Sequence, residues 1–286
     1  MVGQIDVSIT YIMFKHPGSV FPKILNKRPE GLPLFKWTDV KKLEDIGSGS
    51  YSDVAVYGHG PTKQKVAVKT FKSNVPKNLL EKEVKLLSGL DHCNVVKALA
   101  FSSNNPNALM LQYCTFDMKP FTDDNVKVST LSELLIILDT CDFVQFHGLQ
   151  IHAASGLING LAYLHGKGVV HRDLKPANVL VSNQDYVDLF DTNRDRFMQC
   201  WNDRPVTVKL TDFGESRSAL IQTNSLLQTA TTNAYRGSPA FMSPEILAPL
   251  YREDVHIGPI SLEDMKASDV WSLALIFHNL LSPDLT

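Results

Sequence analysis

Two rhythms of apolar residues divide the chain. From Val40 onward, short stretches alternate apolar with polar positions or fall into brief Val-rich runs. VKKLEDIG and SDVAVYGH read as two strands joined by a glycine-containing turn, and KQKVAVKTF alternates as a third. NLLEKEVKLLSGL instead sets Leu79, Val84, Leu86, Leu87 and Leu90 largely along one side of a helix, between Pro76 and the break at Asp91-His92. Two further strands are expected around 95–101 and 108–113. Three strands, a helix and two strands make the plan of a small α+β unit.

Beyond Cys114 the apolar spacing shifts to three and four, as helices require. LSELLIILD and the long GLQIHAASGLINGLAYLHGKG show it, the second closing on Gly166 and Gly168 where a C-cap glycine belongs. VVHRDLKPANVLV follows, then a polar segment over 182–205 expected to be a solvated surface loop, then VTVKLTDFG. A last helical pattern, KASDVWSLALIFHNLLS, lies near the end. Residues 1–39 carry Pro17, Pro22, Pro29 and Pro33 without a period and read as an extension of uncertain order. The expected organisation is a β-rich lobe over 40–113, a hinge at about 112–116, and a mainly helical lobe over 117–286, with a cleft between the lobes.

Composition narrows the class. The chain has 286 residues, 44% hydrophobic and 20% charged, with Lys plus Arg at 28 against 30 for Asp plus Glu. The resulting net charge of −2 argues against a protein that coats nucleic acid or an anionic membrane. Cys93, Cys114, Cys141 and Cys200 form no Cys-x-x-Cys pair, which excludes a zinc ribbon or disulfide scaffold and points to free thiols in a reducing compartment. The strongest apolar run, Leu134 to Leu138, falls far short of the ~20 residues that span a bilayer. No secretory leader pattern opens the chain. A soluble, cytoplasmic protein is expected.

Four clusters carry chemistry. Gly47-Ser48-Gly49-Ser50-Tyr51-Ser52-Asp53-Val54 lies between two expected strands, where glycines let backbone amides approach phosphate oxygens without Cβ interference. Its strand-to-strand position excludes the dinucleotide-binding version, which opens a helix. Val66-Ala67-Val68-Lys69 ends a strand on a lysine whose inward position needs an anionic partner. Glu83 on the following helix supplies one; Glu81 lies about 200° around that helix, so only one of the two can face the strand. His171-Arg172-Asp173-Leu174-Lys175-Pro176-Ala177-Asn178 offers a proton acceptor and, five positions on, an amide oxygen for a metal. Asp212-Phe213-Gly214 adds a second acid beside a flexible glycine. Magnesium prefers oxygen ligands and keeps several waters, so one Asp, one Asn and phosphate oxygens suffice.

In this order and spacing the four clusters resemble the eukaryotic protein kinase signature, with Ser243-Pro244-Glu245 and Ser268-Asp269-Val270-Trp271 agreeing independently. The resemblance covers about Leu43 onward and implies a bilobal protein-kinase-like α+β fold. It implies that Lys69 holds ATP phosphates and pairs with Glu83, and that Asp173 accepts the proton of the substrate hydroxyl. Lys175 would neutralise the transferring phosphate, and Asn178 and Asp212 would hold magnesium ions. It sets Ile46, Gly47 and Gly49 over the nucleotide, Val54, Ala67 and Leu180 around the adenine, Leu111 at the back of its pocket, and Gln112 to Cys114 as the hinge backbone that reads its edge. LKPAN with Lys175, and Ser238 beyond it, is the Ser/Thr version of the motif, so the implied partner is a protein substrate with a Ser or Thr acceptor. The wording of VVHRDLKPANVLV and LTDFGESR also resembles the tyrosine-kinase-like group.

Three departures stand against that family pattern. Ser52 replaces the third glycine of the phosphate loop; the stretch from Asp173 to Asp212 is about twenty residues longer than usual, the surplus falling in 182–205; and the family's last C-lobe helices are missing, as in a truncated domain. Without those helices, Trp271, Leu273, Leu275, Ile276 and Phe277 are expected to face water. A nucleotide-binding scaffold without catalysis, or an inactive fragment, is therefore the alternative to a kinase. Ser225, Thr229, Thr231 and Thr232 are candidate phosphorylation sites of an activation segment, since Arg172 beside Asp173 is the pattern of kinases that need one.

Overall fold

The computed structural model describes residues 31–49, 51–75, 77–104, 106–122, 126–140, 146–218, 238–251 and 260–281. Strands β1 (Val40–Ser48), β2 (Ser52–His59) and β3 (Gln64–Phe71) form an antiparallel meander. Helix α1 (Lys77–Ser88) follows, and β4 (Ala98–Ser102) and β5 (Ala108–Gln112) complete a five-stranded sheet in the order β1-β2-β3-β5-β4. The alternation of β3 explains its place in the middle. Val66 and Val68 enter one cluster with Phe35, Ala100, Ala108 and Met110, while Ala67 and Phe71 face the other way into the main core. Lys69 shares that second face.

Folded structure begins ahead of Val40. Phe35 is buried, its N–H donates to the Phe101 carbonyl at 3.0 Å, and Phe101 N–H donates to the Pro33 carbonyl at 2.9 Å. Residues 33–37 thus cap the β4 edge and cover the outer face of the sheet, so the lobe boundary expected at residue 40 falls inside packed chain.

The second lobe starts with a small hairpin, β6 (Phe116–Asp117) and β7 (Lys127–Val128), then α2 (Leu131–Thr140) and α3 (His147–Gly166). Along α3, Leu149, Ala153, Leu157, Leu161 and Leu164 form a fully buried stripe at spacings of three and four. Gly156 and Gly160 let the Val208 and Asn94 segments approach this helix: a Cβ on Gly156 would lie 2.5 Å from the Val208 side chain, and one on Gly160 2.8 Å from the Asn94 carbonyl oxygen. Gly168, at φ +68°, ends the helix as its position in the sequence suggests. Then come β8 (Val169–Val170), β9 (Val179–Ser182), α4 (Leu189–Thr192), α5 (Arg194–Asp203), β10 (Thr207–Leu210), β11 (Arg217–Ser218), α6 (Pro244–Tyr251) and α7 (Leu262–Leu281). β9 pairs with β10 and β8 with β11, both antiparallel.

Two expectations need correction. Residues 182–205 are not a solvated loop: Asn183, Tyr186 and Phe197 are buried, and the Trp201 ring sits 4.4 Å from Phe121. The aromatic side chains of this stretch supply enough apolar area to fold it onto the lobe. Nor does α7 turn a whole apolar face to water. Leu273, Ile276 and Leu280 are buried and Leu275 and Phe277 half-buried; Val270, Trp271 and Leu281 are the large apolar residues of the helix that stay exposed. Cys141 and the proposed activation-segment hydroxyls from Ser225 to Thr232 lie outside the described residues.

Candidate active site

The two lobes meet along a cleft whose polar centre is Lys69. Its Nζ lies 2.9 Å from Glu83 Oε1 on α1 and 2.9 Å from Asp212 Oδ1 just after β10. Of the two acids weighed on α1, Glu83 is buried against the lysine and Glu81 is exposed. Burial alone would strip the charge from Lys69, but the two carboxylates overcome it and hold its pKa above the ordinary lysine value. Burial likewise pushes the Asp212 carboxyl up, and the Lys69 charge and hydrogen bond outweigh it, so Asp212 titrates below the usual carboxylate range. Asp212 adopts φ +60°, a backbone state that a β-carbon disfavours, which turns its carboxylate toward the lysine while Phe213 is buried.

The apolar walls converge beside this centre. Ala67 and Leu111 belong to the main hydrophobic cluster, with Val54 and Leu180 packed against it from β2 and β9. Ile46 is exposed, as are Gly47 and Gly49. Cys114 is buried, and burial pushes its thiol up to about 11, so it is an inert packing group. Of the expected hinge backbone, Gln112 N–H is committed to the Lys97 carbonyl at 2.9 Å and is not available to a ligand.

The loop from His171 to Asn178 is fixed from every side. Asp269 on α7 accepts from the backbone N–H of His171 and of Arg172, both at 2.8 Å, and contacts His165 Nε2 at 2.9 Å. This clamp holds Arg172 at φ +72° and presents Asp173 to the cleft. One Asp173 oxygen accepts the Ser238 N–H at 2.8 Å; the other accepts Asn178 Nδ2 at 2.8 Å and lies 2.9 Å from Lys175 Nζ. Lys175 Nζ also donates to Ser238 Oγ at 2.6 Å. The Asn178 nitrogen is thus spent on Asp173, which leaves its amide oxygen as the atom suited to a cation. With the half-exposed Asp212 carboxylate this gives an all-oxygen donor pair that fits magnesium. An apolar cavity lined by Leu174, Phe241, Met242, Ile246 and Met265 opens next to Asp173 and Ser238.

Sequence reasoning noted Asp269 as part of a motif but missed what it does. An acid inside an otherwise apolar helical stripe was the available signal, because such a group survives burial only with partners. Asn183 was missed altogether, and an isolated Asn in a polar stretch carries no signal.

Comparison with known proteins agrees with this geometry. The family described as protein kinase domain matches residues 40–285. The chain is 27% identical to mitogen-activated protein kinase pmk-2 of Caenorhabditis elegans over 97% of its own length and 60% of the relative's. It is 33% identical to the human serine/threonine-protein kinase ULK1 over 83% of its length and 19% of the relative's. It is 27% identical to a probable myosin light chain kinase of Dictyostelium discoideum over 85% of its length and 63% of the relative's. The chain thus spans less than two thirds of each of these relatives.

Proposed function

The chain belongs to the protein kinase family, and from that membership we propose that it transfers the γ-phosphate of ATP to Ser or Thr hydroxyls of protein substrates. The observation that carries the reading is the Lys69 bridge, 2.9 Å from both Glu83 and Asp212, together with an Asp173 held by Ser238, Asn178 and Lys175. In this reading Lys69 orients the ATP phosphates while Glu83 keeps the lysine in place. Val54, Ala67, Leu111 and Leu180 enclose the adenine. Its polar edge meets hinge backbone at Cys114 rather than Gln112 N–H, and Ile46, Gly47 and Gly49 cover the nucleotide.

Asp173 accepts the hydroxyl proton, since both its oxygens are already aligned by Ser238, Asn178 and Lys175. Lys175 faces the charge that develops on the transferred phosphoryl group. Asp212 and the Asn178 oxygen would hold magnesium, which neutralises phosphate charge when bound. The contact between Lys175 and Ser238 supports a Ser/Thr acceptor, as does the similarity to the human serine/threonine-protein kinase ULK1. ATP as donor and the free thiols Cys93, Cys114 and Cys200 favour the cytoplasm as the place of action. Among the described residues no helix is long and apolar enough to cross a membrane.

The test is phosphate transfer from ATP and magnesium to a generic Ser/Thr-containing acceptor protein. The unmodified chain should label the acceptor, and Asp173→Asn should remove at least about 99% of the rate. Transfer that survives in Asp173→Asn sinks the assignment. Nucleotide binding without transfer in the unmodified chain would favour the scaffold alternative.

A further inference from the structure

We propose that the 182–205 segment is a buttress of the nucleotide-binding hinge, with Asn183 as a positioning residue for the backbone just beyond Cys114. The proposal rests on the reading of 112–116 as that hinge. Asn183 is fully buried, and its amide meets both backbone groups of one residue. Asp117 N–H donates to Asn183 Oδ1 at 2.9 Å, and Asn183 Nδ2 donates to the Asp117 carbonyl at 3.0 Å. Asn183 N–H reaches the Thr115 carbonyl at 3.4 Å. Three bonds therefore weld residues 115–117 to the end of β9, the strand that also carries Leu180.

The aromatic side chains of α5 hold that weld in register, while Tyr186 only closes the segment on itself. Tyr186 Oη donates to the Pro205 carbonyl at 2.6 Å and closes the segment at its base. α5 folds back so that Trp201 lies 4.4 Å from Phe121 and 6.3 Å from Phe146, with Phe197 6.4 Å from Phe121. Lys119 pairs with Asp191 at the rim. A loop of no consequence to the cleft would have no cause to bury an amide with both its oxygen and its nitrogen bonded to β6.

The physical consequence is preorganisation. A hinge that must be ordered by its ligand lowers affinity by the cost of that ordering; one already held by protein does not. Severing the weld should thus weaken nucleotide binding and leave the transfer step, governed by Asp173 and its clamp, nearly unchanged. The segment would then set nucleotide affinity from behind the hinge, without touching the nucleotide.

The experiment uses the full chain and ADP with magnesium as the binding probe, measured by calorimetry, together with steady-state kinetics. Asn183→Ala should raise the ADP Kd and the ATP KM about tenfold, and Trp201→Leu about threefold, with kcat and acceptor KM within about twofold of the unmodified protein. Amide hydrogen exchange over 114–118 should quicken in both variants. Tyr186→Phe, which removes a bond internal to the segment, should lower the melting temperature yet leave ADP Kd in place. An unchanged Kd in a folded Asn183→Ala overturns the proposal, and so does an equal shift in Tyr186→Phe, which would mark a general loss of stability. Should Asn183→Ala fail to fold, Trp201→Leu decides: unchanged Kd and exchange overturn the buttress. An unmodified chain that binds no ADP overturns the nucleotide reading as well, and that outcome is distinct from binding that the variants leave untouched.

Discussion

The two loops that would handle phosphate are built in opposite ways. Gly49 and Tyr51 in the loop between β1 and β2 are exposed, and β1 itself is exposed along almost its whole length. Its described ties come from the loop itself and from Lys72: Gly49 N–H to the Ser52 carbonyl at 2.8 Å, Ser48 Oγ to Asp53 at 2.6 Å, and Lys72 through Nζ to the Gly49 carbonyl at 2.6 Å and through N–H to the Tyr51 carbonyl at 3.0 Å. The loop from His171 to Asn178 has His171, Leu174 and Asn178 buried and is bonded to α7, to the segment after β10 and to Ser238. A cover over a nucleotide must open to exchange it, so weak local ties suit it. A proton acceptor must stay within hydrogen-bond tolerance of the hydroxyl it serves, so redundancy suits that loop. Mobility and precision are thus separated along the chain.

The hardest strike at this contrast is Asp269→Asn. One acceptor oxygen becomes a donor facing backbone N–H groups already at 2.8 Å, and at least one of them is left buried without a partner. We expect a stability loss of about 3 kcal/mol from the lost charged acceptor, and roughly a hundredfold drop in kcat from displacement of Asp173. Thermal melts and single-turnover transfer check both. A kcat within about threefold of the unmodified value would show that the loop needs no clamp.

Much of this was legible beforehand, and the reason is physical. α1, α3 and α7 declare themselves because each buries one face, which imposes a period of 3.6, while β3, buried on both faces, shows as a short Val-rich run. Lys69, Glu83, Asp173, Asn178 and Asp212 stand out because phosphate chemistry demands those groups in that order. The fold of 182–205 was not legible, since Tyr186, Phe197 and Trp201 acquire meaning only against Phe121 and Phe146, far away in sequence. The role of Asp269 is equally non-local, for its partners lie 97 and 98 residues before it.

Lys69→Met tests the junction between the mobile and the fixed region. It leaves buried Glu83 without its cation, so a loss of about 3 kcal/mol is expected, with nucleotide binding weakened more than acceptor binding. The pH dependence follows in sign. Asp212 titrates below its unfolded value, so its share of stability is present above about pH 4 and is lost as pH falls through the lower folded pKa. Lys69 titrates above its unfolded value, so its share is present below about pH 10.4 and is lost only as pH rises through the higher folded pKa. The melting difference between Lys69→Met and the unmodified chain should therefore stay level from about pH 5 to 9 and narrow in acid. A gap that widens below pH 4 would contradict the pairing.

The mildest change sharpens the contrast from the mobile side. Ser52 occupies the third glycine position of the loop, opens β2 and accepts the Gly49 N–H through its backbone carbonyl at 2.8 Å. Ser52→Gly keeps that carbonyl and removes only a side chain, so no described hydrogen bond to the loop is lost. What changes is the range of backbone states open to a residue that must hold the strand position opposite Phe71. The expected cost is about 0.5 kcal/mol of stability, the low end for a strand glycine because Ser52 is the first residue of β2. The freer loop should release nucleotide faster, raising the ATP KM about twofold while kcat changes by less than that. The matching change in the fixed loop, Ala177→Gly, adds the same backbone freedom between Asp173 and Asn178. There it should lower kcat and leave the ATP KM nearly level, because the freedom now falls on the proton acceptor rather than the cover. If both substitutions moved kcat and KM in the same proportion, the separation of mobility from precision would not hold.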